Sequence, residues 1–266
     1  MSLNLSSIDP KAKIGKNVIF SPFVTVYEDV EIGDGTWIGP NVTIMNGARI
    51  GKNCKIYPCA VISAEPQDLK YKGEITFAEI GDNTTIRECV TVNKGTMASG
   101  KTAVGSNCLL MAYAHVAHDC YIGNNCVIAN NAALAGHIII EDWAVLGGVS
   151  AVHQFVKIGQ HSFISGGSLV GKDVPPFVKA ARKPLSYAGI NAIGLRRRGF
   201  DEDTINRIHD IYKIIFVEHH NTSIALTLVE SEMESSPERD AILKFIRTSE
   251  RGIMKGYSNG RDDDQN

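Results

Sequence analysis

The chain has 266 residues with 27 basic and 29 acidic side chains, and its formal net charge of −2 excludes the overall basic character of many nucleic-acid-binding proteins. No apolar run approaches the roughly 20 residues that a transmembrane helix needs, and the first ten residues lack a signal-peptide pattern. We therefore expect a cytoplasmic protein with no membrane segment and no nucleic acid partner.

A six-residue hydrophobic repeat runs through most of the chain. Ile, Leu, Val or Phe recurs at every sixth position from Ile8 to Ile62, from Ile80 to Val92 and from Val104 to Val170. Glycine often follows the aliphatic residue, and asparagine often comes two positions after that glycine. Neither a helix nor an ordinary strand has this period. Short fixed repeats are typical of parallel β-helices, and three hexads would close one triangular coil, so we expect about eight coils.

The repeat divides the chain into two predicted domains. The β-helix should cover 1–178 and end near Pro175 and Pro176, because prolines cannot continue a paired strand. Two stretches that break the repeat, at about 63–79 and 95–103, should be loops. A C-terminal α-helical domain should cover 179–266, with one helix after Asp201, a second through 224–233, a third from Pro237 and a polar, disordered tail from about 256.

Most cysteines occupy the small-residue position of a hexad. Cys54, Cys108, Cys120 and Cys126 do so, and no pair has CxxC spacing. We therefore predict that they fill coil corners, with no disulfide and no metal site.

Histidines cluster around the segment 114–120. If 18 residues make one coil, His118, Gly136 and Gln154 stack in one column on successive coils. Four residues should lie beside or near it: Asp119, His137, His153 and His115. We expect His161 and His209 to be surface residues, and the same holds for His219 and His220.

This column could perform acyl transfer to a hydroxyl group. His118 could take the proton of the alcohol, and Asp119 could hold the tautomer of its imidazole. The backbone N–H of Gly136 could stabilise the oxyanion. Two alternatives remain: zinc bound by His115, His118 and His137, and covalent catalysis by Cys120, although its hexad position points it inward.

Several segments make the chain similar to a known family: 67–71 (QDLKY), 114–120 (AHVAHDC), 130–137 (NNAALAGH), 151–155 (AVHQF) and 195–200 (LRRRGF). With these, the chain resembles the hexapeptide-repeat UDP-N-acetylglucosamine O-acyltransferases of lipid A biosynthesis. That resemblance implies a left-handed parallel β-helix and a homotrimer. It also implies transfer of an (R)-3-hydroxyacyl chain from acyl carrier protein to the glucosamine 3-hydroxyl of UDP-N-acetylglucosamine.

The resemblance also implies roles for individual residues. His118 would be the general base, Asp119 its orienting partner and Gly136 the oxyanion donor. The substrate would be bound by a larger set: Gln67 and Asp68 from a neighbouring subunit, then His115, His137, His153, Gln154, Asn191, Arg197 and Arg198. Gly166 and Phe163 would set the acyl length, and glycine at 166 predicts a C14 or longer donor.

Basic residues near the domain junction could receive the acidic carrier protein: Lys70, Lys179, Arg182, Lys183 and Arg196. No cofactor is expected, since the carrier protein brings its own 4'-phosphopantetheine. Pro184 and Ile193 depart from the family pattern and affect the expected nucleotide contacts. A related lipid A N-acyltransferase and a zinc-dependent γ-type carbonic anhydrase are the competing functions.

Overall fold

The computed structural model describes residues 5–218 and 221–256, and its larger part is a left-handed parallel β-helix built from very short strands. The strands in chain order are β1 Ser7–Ile8, β2 Lys13–Ile14, β3 Ile19–Phe20, β4 Thr25–Val26, β5 Val30–Ile32, β6 Trp37–Ile38, β7 Thr43–Ile44, β8 Ala48–Ile50, β9 Lys55–Ile56, β10 Val61–Ala64, β11 Phe77–Ile80, β12 Thr85–Ile86, β13 Thr91–Asn93, β14 Lys101–Val104, β15 Leu109–Leu110, β16 His115–Val116, β17 Tyr121–Ile122, β18 Val127–Ile128, β19 Ala133–Leu134, β20 Ile139–Ile140, β21 Val145–Leu146, β22 Ala151–Val152, β23 Lys157–Ile158, β24 Phe163–Ile164, β25 Leu169–Val170, β26 Val178–Ala181 and β27 Ser186–Ile190.

Every third strand joins the same sheet, which gives the solenoid three faces. The first sheet runs from β1 to β25, the second from β2 to β23, and the third from β3 through β24 to β26 and β27. Partners in the first sheet after β13 lie 18 residues apart, as in Val116↔Leu134 and Leu134↔Val152. The predicted coil length is therefore confirmed.

The repeated aliphatic residues form the core of the solenoid. Every one from Val26 to Val170 is at most 4% exposed. Ile8, Ile14 and Phe20 are more exposed because they lie in the first coil, which has a neighbour on one side only. Burying each aliphatic side chain contributes roughly 1.5–3 kcal/mol, so the repeat is also the main source of stability.

The corners of the coils use the left-handed backbone region at a fixed position. Its φ lies between 53° and 58° at the asparagines of the repeat, from Asn17 to Asn131. Asparagine tolerates this region better than most residues. Non-asparagine residues take the same conformation in the later coils, among them Asp119, His137 and Phe155.

Both predicted loops are present but shorter than expected. β10 extends to Ala64 and β11 begins at Phe77, so the first loop covers 65–76. β13 and β14 likewise reduce the second loop to 94–100. The strand residues at the edges pair normally, for example Phe77↔Lys101.

The C-terminal region begins with two strands that sequence reasoning missed. β26 pairs with β24 in parallel and β27 pairs with β26 in an antiparallel direction, so the third sheet continues beyond the boundary predicted at 178. The helices are α1 Ala192–Arg197, α2 Glu202–Phe216, α3 Thr222–Glu232 and α4 Pro237–Arg247. The last three confirm the predicted helices. Asp201 is the N-cap of α2, where its side chain accepts a hydrogen bond from Thr204 N.

Buried polar contacts join the helical region to the solenoid. The carboxylate of Asp173, which is 0% exposed, accepts hydrogen bonds from Lys157 N at 2.8 Å and Ser249 Oγ at 2.6 Å. Tyr212 on α2 donates its hydroxyl hydrogen to Pro176 O at 2.5 Å. The predicted disordered tail lies almost wholly outside the described residues, as do His219 and His220. No helix in the described ranges has the length and apolarity that crossing a membrane requires.

Candidate active site

The predicted histidine column forms at the corner between the first and second sheets. His137 N donates to His118 O at 3.1 Å, and Phe155 N donates to Gly136 O at 3.3 Å. These bonds join three successive coils at this corner. The structure therefore stacks His118 with Gly136, and Asp119 with His137, as the coil length predicts.

His118 and Asp119 form a hydrogen-bonded pair. His118 Nδ1 lies 2.7 Å from Asp119 Oδ2, and the Asp119 side chain is 0% exposed. Burial by itself would raise the pKa of Asp119, but hydrogen bonds from Ser99, His118 and Thr96 outweigh it and lower the pKa to about 2. Asp119 is therefore ionised at neutral pH. An ionised acceptor places a proton on Nδ1 of His118 and leaves Nε2 as the basic atom of the neutral ring.

The second loop contributes residues that the sequence reasoning did not identify. Thr96 and Ser99 both bind Asp119 through their backbone N–H groups and their hydroxyls. The only signal in the sequence was the high Gly, Ser and Thr content of the loop, which indicated a loop without identifying its contacts.

Gly136 lies directly against the imidazole of His118. A Cβ atom at this position would be 2.6 Å from His118 Cε1 and 2.8 Å from His118 Nε2. Any side chain here would displace the ring, so glycine is required by the packing of His118. The backbone N–H of Gly136 donates no hydrogen bond within the described part of the chain.

His137 packs beside the pair on the next coil. Its ring meets that of His118 edge-on with centroids 5.1 Å apart, and it stacks on Phe155 at 4.6 Å. His137 Nε2 is 3.8 Å from Asp119 Oδ2. One ligand atom from each of His118, Asp119 and His137 could approach a metal ion, since the three lie within 4.8 Å of one another. However, both Asp119 oxygens already accept hydrogen bonds from the chain.

The other residues of the predicted column border this cluster. His115 lies on β16 and its Nδ1 is 2.7 Å from Thr91 Oγ1; burial lowers its pKa. His153 and Gln154 are exposed, with His153 Nδ1 3.1 Å from Gln154 O. Both side chains are therefore accessible to a substrate at this corner.

A cavity of about 340 Å³ lies between the third sheet and α1. Its lining includes five residues predicted to bind substrate, acyl chain or carrier protein: Phe163, Lys179, Asn191, Arg197 and Arg198. Asn191 is also the N-cap of α1, and its Nδ2 donates to His161 O at 2.9 Å. Three cations beside an apolar wall can bind an anionic ligand that also has an apolar or aromatic part.

The expectation that His161 is a surface residue is wrong. Its ring stacks between Trp143 and Phe177, with centroid distances of 6.1 Å and 5.6 Å. Arg198 Nη1 lies 3.2 Å from His161 Nδ1, and its guanidinium lies over Trp143 at 5.3 Å. Burial and the neighbouring Arg198 lower the pKa of His161 to about 4. The neutral ring therefore helps to hold Arg198 at the cavity.

The remaining predicted residues are on the surface. Gln67 and Lys70 are exposed on the first loop, and Asp68 Oδ1 accepts from Lys70 N at 2.9 Å. Arg182 and Lys183 are exposed near β26. Arg196 forms a salt bridge with Glu202 at 2.5 Å, so part of the predicted basic patch is already neutralised.

Gly166 is exposed at the corner between the third and first sheets. A Cβ atom there would lie 3.1 Å from Gly148 O, which a small adjustment could relieve. A larger side chain at 166 would project outward beside Phe163 and the cavity.

The cysteines agree with their predicted role. All six are free, and the four in the small-residue position are buried. Burial raises the pKa of the Cys120 thiol to about 12. A thiol that stays protonated at neutral pH is a poor nucleophile, which argues against covalent catalysis by this residue.

Comparison with known proteins shows what the chain is similar to. Residues 173–254 match the family profile described as UDP N-acetylglucosamine O-acyltransferase, domain 2. Residues 29–64 and 101–136 match the bacterial transferase hexapeptide profile. An acyl-[acyl-carrier-protein]–UDP-N-acetylglucosamine O-acyltransferase of Thermodesulfovibrio yellowstonii is 44% identical over 93% of this chain and 96% of its own length.

Solved structures give the same result. A UDP-N-acetylglucosamine acyltransferase from Bacteroides fragilis has a TM-score of 0.93 and 50% identity, covering 96% of this chain and 100% of that one. A second structure in this group, from Acinetobacter baumannii, has a TM-score of 0.91 and 39% identity, covering 95% and 99%. The similarity extends through both domains and is not restricted to the repeat.

Proposed function

The chain belongs to the family of acyl-[acyl-carrier-protein]–UDP-N-acetylglucosamine O-acyltransferases, and we propose that it transfers an (R)-3-hydroxyacyl chain to the glucosamine 3-hydroxyl of UDP-N-acetylglucosamine, with His118 as general base. The observation that supports this role most directly is the His118–Asp119 hydrogen bond at 2.7 Å. The reaction belongs to lipid A biosynthesis. The N-acyltransferase and carbonic anhydrase alternatives are not favoured by these relatives.

The first step is attack of the sugar hydroxyl on the thioester carbonyl. His118 Nε2 accepts the hydroxyl proton while the new C–O bond forms. Asp119 stabilises the imidazolium through Nδ1–H without accepting its proton, as its low pKa requires. The carbonyl oxygen becomes an oxyanion, and the Gly136 N–H is an unused donor beside the His118 ring.

The second step breaks the C–S bond. The tetrahedral intermediate collapses to the ester, and the imidazolium of His118 returns its proton to the departing pantetheine sulfur. The thiol belongs to the 4'-phosphopantetheine of the acyl carrier protein, so the enzyme itself needs no cofactor.

The cavity beside α1 is our candidate for the nucleotide end of the sugar substrate. Arg197, Arg198 and Lys179 would neutralise the diphosphate, and a guanidinium can bind phosphate oxygens in pairs. Asn191 lies at the same cavity. Ile193 also lines it and is 65% exposed, so this position offers the nucleotide an apolar contact.

We propose a homotrimer in which the site is completed by a neighbouring subunit. The outer face of the first sheet carries exposed apolar residues, and Leu169 is 75% exposed. Leu69 and Ile75 on the first loop are 106% and 86% exposed, which is unfavourable unless another chain covers them. Packing of the first sheet against a second copy would let Gln67 and Asp68 reach the histidines of that copy, where they and His115, His137, His153 and Gln154 would contact the sugar.

The acyl carrier protein is acidic, and exposed cations at the domain junction could receive it. Lys70, Lys179, Arg182 and Lys183 remain the candidates, with Arg196 reduced by its salt bridge to Glu202. Both substrates are cytoplasmic, and we place the reaction in the cytoplasm.

Mass spectrometry of UDP-N-acetylglucosamine incubated with acyl carrier proteins of graded chain length tests the reaction and the donor together. We expect a single ester product and preference for C14 or longer, because Gly166 leaves the corner open. A preference for C10 would contradict the acyl-length proposal.

His118→Ala tests the mechanism. It should lower kcat by at least 10²-fold, since general base catalysis contributes about 10²–10⁴. His209→Ala is the matched control, because His209 is an exposed histidine on α2. Full activity of His118→Ala would contradict the assignment of the base.

A further inference from the structure

We propose that Thr96 and Ser99 of the second loop are positioning residues, which hold the Asp119 carboxylate so that its remaining acceptor direction is directed at His118. The inference deepens the proposed function and depends on His118 being the base.

Four donors from two loop residues surround the carboxylate. Oδ1 accepts from Thr96 N at 2.9 Å, from Ser99 N at 3.3 Å and from Ser99 Oγ. Oδ2 accepts from Thr96 Oγ1 at 2.7 Å and shares its other direction with His118 Nδ1 at 2.7 Å. Since a carboxylate has about four lone-pair sites, the loop occupies nearly all of them except the one toward His118.

The loop itself is fixed at both ends by backbone bonds. Lys94 N donates to Ala64 O at 2.9 Å, Gly95 N donates to Phe77 O at 3.0 Å, and Gly100 N closes the turn on Thr96 O at 2.8 Å. A buried hydroxyl, Thr76 Oγ1, donates to Gly95 O at 2.6 Å. The donors are therefore held in place before substrate arrives, as a catalytic support requires.

All four donors are uncharged, and this determines what the loop can do. A cationic partner would neutralise Asp119 and weaken its bond to the imidazolium. Uncharged donors keep the buried carboxylate ionised and leave its full charge in place. They also divide that charge among several bonds, so the acid–base balance of the pair depends on how many loop donors are present.

The test compares Ser99→Ala and Thr96→Val with their conservative replacements, Ser99→Thr and Thr96→Ser. We expect each deletion to lower kcat about 10-fold, equal to about 1.4 kcal/mol, with KM for both substrates within about twofold. The conservative variants should recover most of the activity, because they retain a hydroxyl.

The pH profile separates positioning from a purely structural effect. Removing a donor concentrates negative charge on the bond to His118 and favours the imidazolium, so the acid limb of kcat/KM should move to higher pH in the deletion variants. Thr84→Val is the matched control: Thr84 Oγ1 donates to Gly105 O at 2.7 Å and has no contact with Asp119. Its acid limb should remain at the wild-type pH.

Three results would overturn the inference: unchanged kcat in both deletions, an unmoved acid limb, or an equal loss in Thr84→Val. His118→Ala, assayed in parallel, keeps the two proposals distinct. If it is inactive while the loop variants are normal, only the inference about the loop fails; if it is fully active, the assignment of the base fails.

Discussion

A Cβ atom on residue 136 would lie 2.6 Å from Cε1 of His118, so the glycine and the imidazole occupy adjoining space on successive coils. The predicted catalytic column is thus a packing relationship as well as a chemical one. The identity of one residue in the column limits the identity of the next.

Gly136→Ala should lower kcat/KM by about 10²-fold or more, because the ring of His118 must rotate away from its position beside the Gly136 N–H. The thermal midpoint should change little, since the ring can move outward from the corner. Steady-state kinetics and a thermal melt measure the two effects. Gly171→Ala is the control, because a Cβ there meets no atom within 4 Å; comparable losses in both variants would contradict the steric argument.

Asp119→Asn should reduce both activity and the dependence of stability on pH. The folded pKa of Asp119 is about 2, below its ordinary value of 3.8. Its ionised form therefore stabilises the fold at pH above about 4, and this stabilisation of about 2 kcal/mol is lost as pH falls through about 2.

The free energy of unfolding, measured in urea at fixed protein concentration, should differ between wild type and Asp119→Asn at pH 5. The two values should converge toward pH 2. A difference that stays constant over this range would show that the carboxylate charge does not cause it.

His161 predicts a second pH effect of opposite chemical origin. Its folded pKa of about 4 lies below the ordinary 6.5 because the ring is buried beside Arg198. The unfolded chain takes up a proton first, so stability falls as pH decreases from about 6.5 through about 4, by up to about 3 kcal/mol.

His161→Phe should remove this part of the pH dependence. Phenylalanine suits the site, since Phe177 takes the same left-handed backbone conformation on the next coil. Chemical unfolding between pH 4 and 7 provides the measurement. His209→Gln, at an exposed position, should keep the wild-type slope; if His161→Phe also keeps it, burial of His161 is not its cause.

Leu169→Glu should dissociate the proposed trimer. Leu169 is 75% exposed on the first sheet, and a buried unpaired carboxylate at an interface costs several kcal/mol. Analytical ultracentrifugation should show smaller species for this variant. Tyr121→Glu, on the second sheet and 53% exposed, should leave the assembly unchanged. Trimers of unaltered stability in Leu169→Glu would place the interface on another face.

The sequence predicted the column correctly because the coil length converts residue number into height along the axis. Nothing comparable applies to the loops: Thr96 and Ser99 reach Asp119 through a turn that breaks the repeat. His161 was misjudged for a related reason. Its neighbours Trp143 and Phe177 lie one coil away on each side, but Arg198 and Phe200 come from the helical region, whose placement no period indicates. α1 was missed because six residues are too few for a hydrophobic pattern.

Because three hexads close one coil, the corner at which a residue lies depends only on its position within 18 residues. Deleting one whole coil below His118 would shorten the rod and leave the catalytic corner aligned with the corners beneath it. Deleting a single hexad would rotate everything that follows by a third of a turn. The histidines would then face a different side of the molecule, although every strand would still be paired. The fold thus tolerates changes of length in whole coils, and its active site sets that unit.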